Sequence, residues 1–76
     1  MKASARLDDE IRKVEMRIQK LKRKYGSFRR LYRFVEYGEP LDANVDPVEA
    51  WDDMWTWKNL QIMLEELKEI HQLLIY

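Results

Sequence analysis

The sequence predicts an all-α fold in a single domain over 1–76: an antiparallel hairpin of two long helices, about 5–25 and 47–75, with a short connecting helix over about 28–37. Two observations carry this. In both halves of the chain apolar residues recur at alternating spacings of four and three, which keeps them on one side of a helix. The 2 glycines and 2 prolines stand at the edges of these periodic stretches, and 37% of the residues are charged, a composition suited to long helices with few turns.

In the first helix, Leu7, Ile11, Val14, Ile18, Leu21 and Tyr25 form the seam. Ser4 is placed to cap its start, Asp8, Asp9 and Glu10 suit the positive end of its macrodipole, and Lys20, Lys22, Arg23 and Lys24 suit the negative end. Gly26 supplies a left-handed stop. Ser27 then caps the short helix, in which Phe28, Leu31, Tyr32 and Val35 share a face and Gly38 ends the run. Glu39-Pro40-Leu41-Asp42-Ala43-Asn44-Val45 reads as a loop.

Asp46-Pro47-Val48-Glu49 is a strong helix start: a capping Asp, Pro at the first helical position, and Glu three residues after the cap. Nothing afterwards breaks the helix, which runs for about 44 Å at 1.5 Å per residue. Its expected seam is Thr56, Leu60, Met63, Leu67, Ile70 and Leu74, widened by Trp57, Leu64 and His71, while Trp51, Trp55 and Ile62 point elsewhere. Eight of the nine aromatics fall near the closed end of the hairpin, where a small aromatic core is expected.

The zero net charge conceals a polarity. Residues 1–38 hold 12 Lys and Arg against 5 Asp and Glu, and residues 39–76 hold 2 against 9. A basic helix should therefore face an acidic one, with Glu65, Glu66 and Glu69 pairing across the seam. A chain of 76 residues without cysteine buries only about 60% of its unfolded surface, so association with a copy or a partner is the expected remedy. Without an apolar run of membrane length or a signal peptide, the chain reads as soluble and cytoplasmic, with no membrane partner.

Catalysis has no support. There is one His, no Cys, no Gly-rich phosphate loop and no metal-ligand spacing, so no enzyme activity, cofactor or metal is expected. His71 reads as a structural histidine, and Asp52/Asp53 and Glu65/Glu66 as solvated helix faces. The run Lys20 to Arg33 interleaves cations with Tyr25, Phe28 and Tyr32. Lys20, Arg23, Lys24, Arg29, Arg30 and Arg33 are thus a candidate nucleic-acid contact, although pairing with the acidic helix accounts for the same charges.

Trp55 and Trp57 lie about 200° apart on a helix, so one face must meet something other than the seam of the first helix, either the short connecting helix or a partner. Trp51, Asp52, Asp53, Trp55 and Ile62 are therefore the candidate partner-binding residues. Leu73, Leu74, Ile75 and Tyr76 are candidate dimer or partner contacts at the apolar C-terminal end.

Lys24-Tyr25-Gly26-Ser27-Phe28, Val35-Glu36-Tyr37-Gly38-Glu39 and Asp53-Met54-Trp55-Thr56-Trp57-Lys58-Asn59-Leu60 resemble a group of small, mostly archaeal helical proteins. Those are antitoxin-like partners of RelE-like or TumE-like toxins. The similarity covers roughly 20–67, with Tyr25, Gly26 and Phe28 matching the first junction and Asp53, Trp57 and Leu60 the opening of the last helix. Met54 stands where an aromatic is usual, and Trp51 and Trp55 are additional. The resemblance implies a protein-interaction module that neutralises a cognate toxin by covering its active surface. Two further readings compete: a structural coiled-coil dimer forming a helical bundle, and a nucleic-acid-associated protein using the basic face.

Overall fold

The computed structural model describes residues 2–41 and 44–75, with side chains for 6–41 and 44–74. Three helices follow in order: α1 (Lys2–Tyr25), α2 (Phe28–Tyr37) and α3 (Pro47–Ile75). Among the described residues there is no strand. The body is a rod, 46 × 17 × 16 Å.

Capping chemistry places most of the helix ends. The Arg30 N–H donates to Ser27 Oγ at 3.2 Å, and the Val48 N–H donates to Asp46 Oδ1 at 3.0 Å, so each short polar side chain satisfies an amide the helix cannot. Gly38 takes φ +70°, from which its N–H reaches the Phe34 carbonyl at 3.1 Å and the Glu39 N–H reaches Arg33 at 3.3 Å. Gly26, at φ +89°, ends α1 by donating to the Lys22 carbonyl at 2.7 Å. Both glycines adopt a left-handed conformation that a Cβ would strain.

The start of α1 departs from the sequence reading. The helix begins at Lys2 and includes Ser4, so Ser4 is not its cap. Asp8, Asp9 and Glu10 then lie beyond the first turn, where the macrodipole's effect has faded.

The helices α1 and α3 run antiparallel. Lys24 and Tyr25 at the end of α1 reach Glu49 and Asp53 at the start of α3, while Glu15 and Asp8 reach Lys68 and His71. Phe28 meets Trp57, and Tyr32 lies with Met54 and Trp55, so α2 runs back along the first half of α3. Two buried clusters result. Tyr25, Leu31, Ala50, Met54 and Trp57 fill the junction of the three helices. Val14, Leu60 and Leu64 continue the core between the long helices.

The inward face of α3 is turned from the expected seam. Leu60 is buried and Leu67 partly so, but Met63 and Ile70 are each 46% exposed and Leu74 is 53% exposed. Trp57 and Leu64, expected only to widen the apolar side, point into the core. The true seam runs Asp53, Trp57, Leu60, Leu64, Leu67 and His71. It is a line of the same 4-3-4-3-4 spacing begun three residues earlier, which rotates the helix by about 60°. In that rotation Asp53 accepts from the Tyr25 hydroxyl and from Lys24.

The aromatic core is also smaller than expected. Tyr25 and Trp57 are buried and Phe28 and Phe34 pack against them, whereas Tyr32, Tyr37, Trp51 and Trp55 are exposed. Tyr32, assigned to the inner face of α2, sits at its rim against Phe28 and Tyr37.

The rotated seam makes a direct prediction for stability. Leu64→Ala should cost about 2–5 kcal/mol, because it leaves a cavity in the core. Met63→Ala, one position away, should stay within about 0.5 kcal/mol. Urea denaturation of the two variants checks this; equal losses would restore the original seam.

Candidate functional site

The uncovered side of α3 holds the candidate site. Val48, Trp51, Trp55, Ile62, Met63, Ile70, Leu73 and Leu74 are all exposed large apolar residues of this one helix. Trp51, Trp55 and Ile62 point away from α1 as their spacing predicts, at 52%, 43% and 46% exposure. The two indoles meet edge to face, ring centroids 6.2 Å apart, and Lys58 Nζ lies 5.2 Å from the Trp55 ring centre. This leaves an exposed aromatic pair on the first turns of α3, a platform with the Asp52 carboxylate exposed nearby.

Asp53 does not belong to that platform. It is drawn toward α1, where its carboxylate accepts from the Tyr25 hydroxyl and takes the Lys24 ammonium at 3.0 Å. Lys24 also pairs with Glu49. The Glu49 pair first, and then Asp53, hold the Lys24 ammonium well above its usual range. Burial pushes the Tyr25 hydroxyl up to about 12, and its hydrogen bond to Asp53 adds to the shift. Of the five residues placed in the partner site, Asp53 is thus structural.

The C-terminal candidates divide. Leu73 and Leu74 are strongly exposed, while Tyr76 and the Ile75 side chain lie outside the described residues. His71, partly buried, places Nε2 2.8 Å from Asp8 Oδ1. It is a structural contact between the two long helices.

The basic candidates do not form one undivided patch. Gly26 breaks the run, so Lys20, Arg23 and Lys24 stand on α1 while Arg29, Arg30 and Arg33 stand on α2. Lys24 is committed to the acidic residues of α3, and Arg33 lies 3.8 Å from Glu39. Lys20, Arg23 and Arg29 are exposed. The expected pairing of Glu65, Glu66 and Glu69 across the hairpin is not what joins it. All three are exposed, and among the described residues the pair farther along the rod has the opposite polarity, Glu15 with Lys68 at 3.8 Å.

Periodicity gave no sign of the groove beside the platform. Between the start of α2 and the middle of α3 lies a cleft of about 340 Å³ lined by Phe28, Trp57, Lys58, Gln61, Ile62 and Glu65. A second of about 180 Å³, sharing Phe28 and Lys58, is lined by Tyr32, Glu36, Met54 and Trp55. The walls are mainly apolar, and carboxylates stand at the rim. Among the described residues no cluster of His, Cys, Asp and Glu could hold a metal ion. Among them, too, no helix is long and apolar enough to cross a membrane.

No family model, curated protein or solved structure matches this chain.

The Tyr25–Asp53–Lys24 node predicts alkaline sensitivity. The Tyr25 hydroxyl titrates near 12 in the folded chain against 10.0 ordinarily. Its contribution is complete below pH 10 and is lost as pH rises through 12, and raised Lys24 fades in the same direction. Tyr25→Phe should cost about 1–2 kcal/mol at neutral pH and flatten the decline in stability above pH 10. Denaturation curves at pH 7, 10 and 11 measure both effects.

Proposed function

We propose that this chain is a helical protein-interaction module that acts by covering a partner's surface with the outward face of α3. The observation that carries this reading is the pair of exposed indoles, Trp51 and Trp55, on a helix whose nearest uncommitted carboxylate is Asp52. Aromatic side chains bring large buried area at low entropic cost and dominate the energetics of interfaces. The partner that complements them is a basic surface with an apolar recess, drawn in by the acidic residues of α3 and held by the indoles.

The resemblance of the junctions around Gly26 and Gly38 to antitoxin-like proteins extends the proposal. A small toxin that cleaves RNA needs a cationic substrate face, and α3 laid over such a face would exclude substrate without any chemistry of its own. The site of action would be the cytoplasm, where such a toxin meets its substrate. The basic residues of α1 and α2 offer a second reading, nucleic-acid contact, weakened by the engagement of Lys24 with Glu49 and Asp53.

Co-expression with the toxin-like product of the adjacent gene tests the proposal. The wild-type chain should form a complex and suppress growth arrest. The variant Asp52→Ala/Trp51→Ala/Trp55→Ala should keep its helicity and lose at least about 2 kcal/mol of binding, roughly thirty-fold. Undiminished neutralisation by that variant would refute the reading.

A further inference from the structure

On the side of α3 opposite its buried seam stands a second line: Trp51, Trp55, Lys58, Ile62, Glu66, Glu69 and Leu73, all exposed. Its spacings, 4, 3, 4, 4, 3 and 4, read the same in both directions about Ile62. A copy of α3 laid antiparallel across this line, with a twofold axis at Ile62, would therefore bring each position opposite a defined partner. Trp51 faces Leu73 of the second copy, Trp55 faces Glu69, Lys58 faces Glu66, and Ile62 faces itself.

We propose that the free chain is an antiparallel homodimer joined along this outward line of α3. Charge and length argue for this occupant. Lys58 is the one cation of the line, and the reversed register sets it against the Glu66 carboxylate of the second copy. Within one chain the two residues are eight apart, about 12 Å along the axis, so their pairing can only be between copies. A parallel arrangement would instead set Lys58 on Lys58, Glu66 on Glu66 and Glu69 on Glu69, a repulsion that selects against it. The Trp55 indole N–H can donate to the facing Glu69, whose methylenes lie across the ring.

The flanking helices agree with this register. The short helix α2, which carries the exposed Arg29, lies beside the first half of α3. There it meets the last third of the second copy's α3, which carries Glu65, Glu66 and Glu69 against one Lys68. The contact line from Trp51 to Leu73 is about 33 Å long and closes by its own symmetry, so it ends at two chains rather than growing into a filament. The inference stands apart from the inhibitory proposal, but the two occupants share a face: a partner on Trp51 and Trp55 must displace the second copy.

Sedimentation equilibrium of the full chain tests it. The wild-type chain should sediment at twice its 9.4 kDa mass and dissociate on dilution. Ile62→Glu, which puts two carboxylates at the axis, should yield a monomer of unchanged helicity. Lys58→Glu and Glu66→Lys should each weaken the dimer by roughly tenfold or more, since each pair occurs twice, and the double variant Lys58→Glu/Glu66→Lys should restore it. A wild-type monomer at all accessible concentrations overturns the proposal, as does a dimer indifferent to Ile62→Glu or a double variant no tighter than the single ones. Because mass is read without any partner present, these outcomes do not depend on whether the chain neutralises a toxin.

Discussion

A helix of 29 residues with apolar side chains around most of its circumference can be covered by a single neighbouring helix only along one stripe. That constraint governs this molecule. The first helix buries the stripe through Trp57, Leu60 and Leu64, and the short second helix extends the cover to Ala50 and Met54. The remaining side has no third helix to meet. Within one chain Trp51, Trp55, Ile62 and Leu73 stay partly in water, so each forgoes part of the ~1.5–3 kcal/mol that full burial brings. Apolar surface left open in this way is the basis of the proposed association.

Burial of Trp57, Leu60 and Leu64 against Tyr25 and Val14 selects the stripe, and polar contacts at the closed end match it. Tyr25 and Lys24 reach from α1 to Asp53 and Glu49, and this is where a polar group of α3 is most enclosed by protein. An exposed ion pair contributes little to stability, but a buried hydroxyl must find its acceptor. The Tyr25–Asp53 bond is satisfied only in the rotation and register that the core adopts. Farther along the rod, Glu15 with Lys68 and Asp8 with His71 are consistent with that register and do not set it.

The same constraint explains how much could be read from the sequence. Ser27, Gly38 and Asp46-Pro47 signal their helix ends through local chemistry, and the structure uses them so. The rotation of α3 was not legible, because two lines of identical spacing run along it and share Leu60 and Leu67. One adds Met63, Ile70 and Leu74, and the other adds Trp57, Leu64 and His71. Periodicity ranks them equally when a helix is apolar nearly all round; Tyr25 and Val14 on the opposing helix make the choice. Asp53 was misassigned to the partner surface for the same reason, since its acceptor role depends on a residue 28 positions away. The spacing showed that Trp55 and Trp57 face opposite ways; which of them is buried, and that Trp51 is exposed, came from the structure.

The central claim is that α3 keeps one indole inside and presents two outside. Acrylamide quenching measures this most directly on the monomeric Ile62→Glu chain, by comparing it with the same chain carrying Trp51→Phe/Trp55→Phe, in which only Trp57 emits. The account predicts that the remaining emission shifts to the blue and is quenched several-fold more weakly than the average of the three indoles in that monomer. Equal quenching of the two would mean that Trp51 and Trp55 are as sheltered as Trp57, and that the outward face described here does not exist.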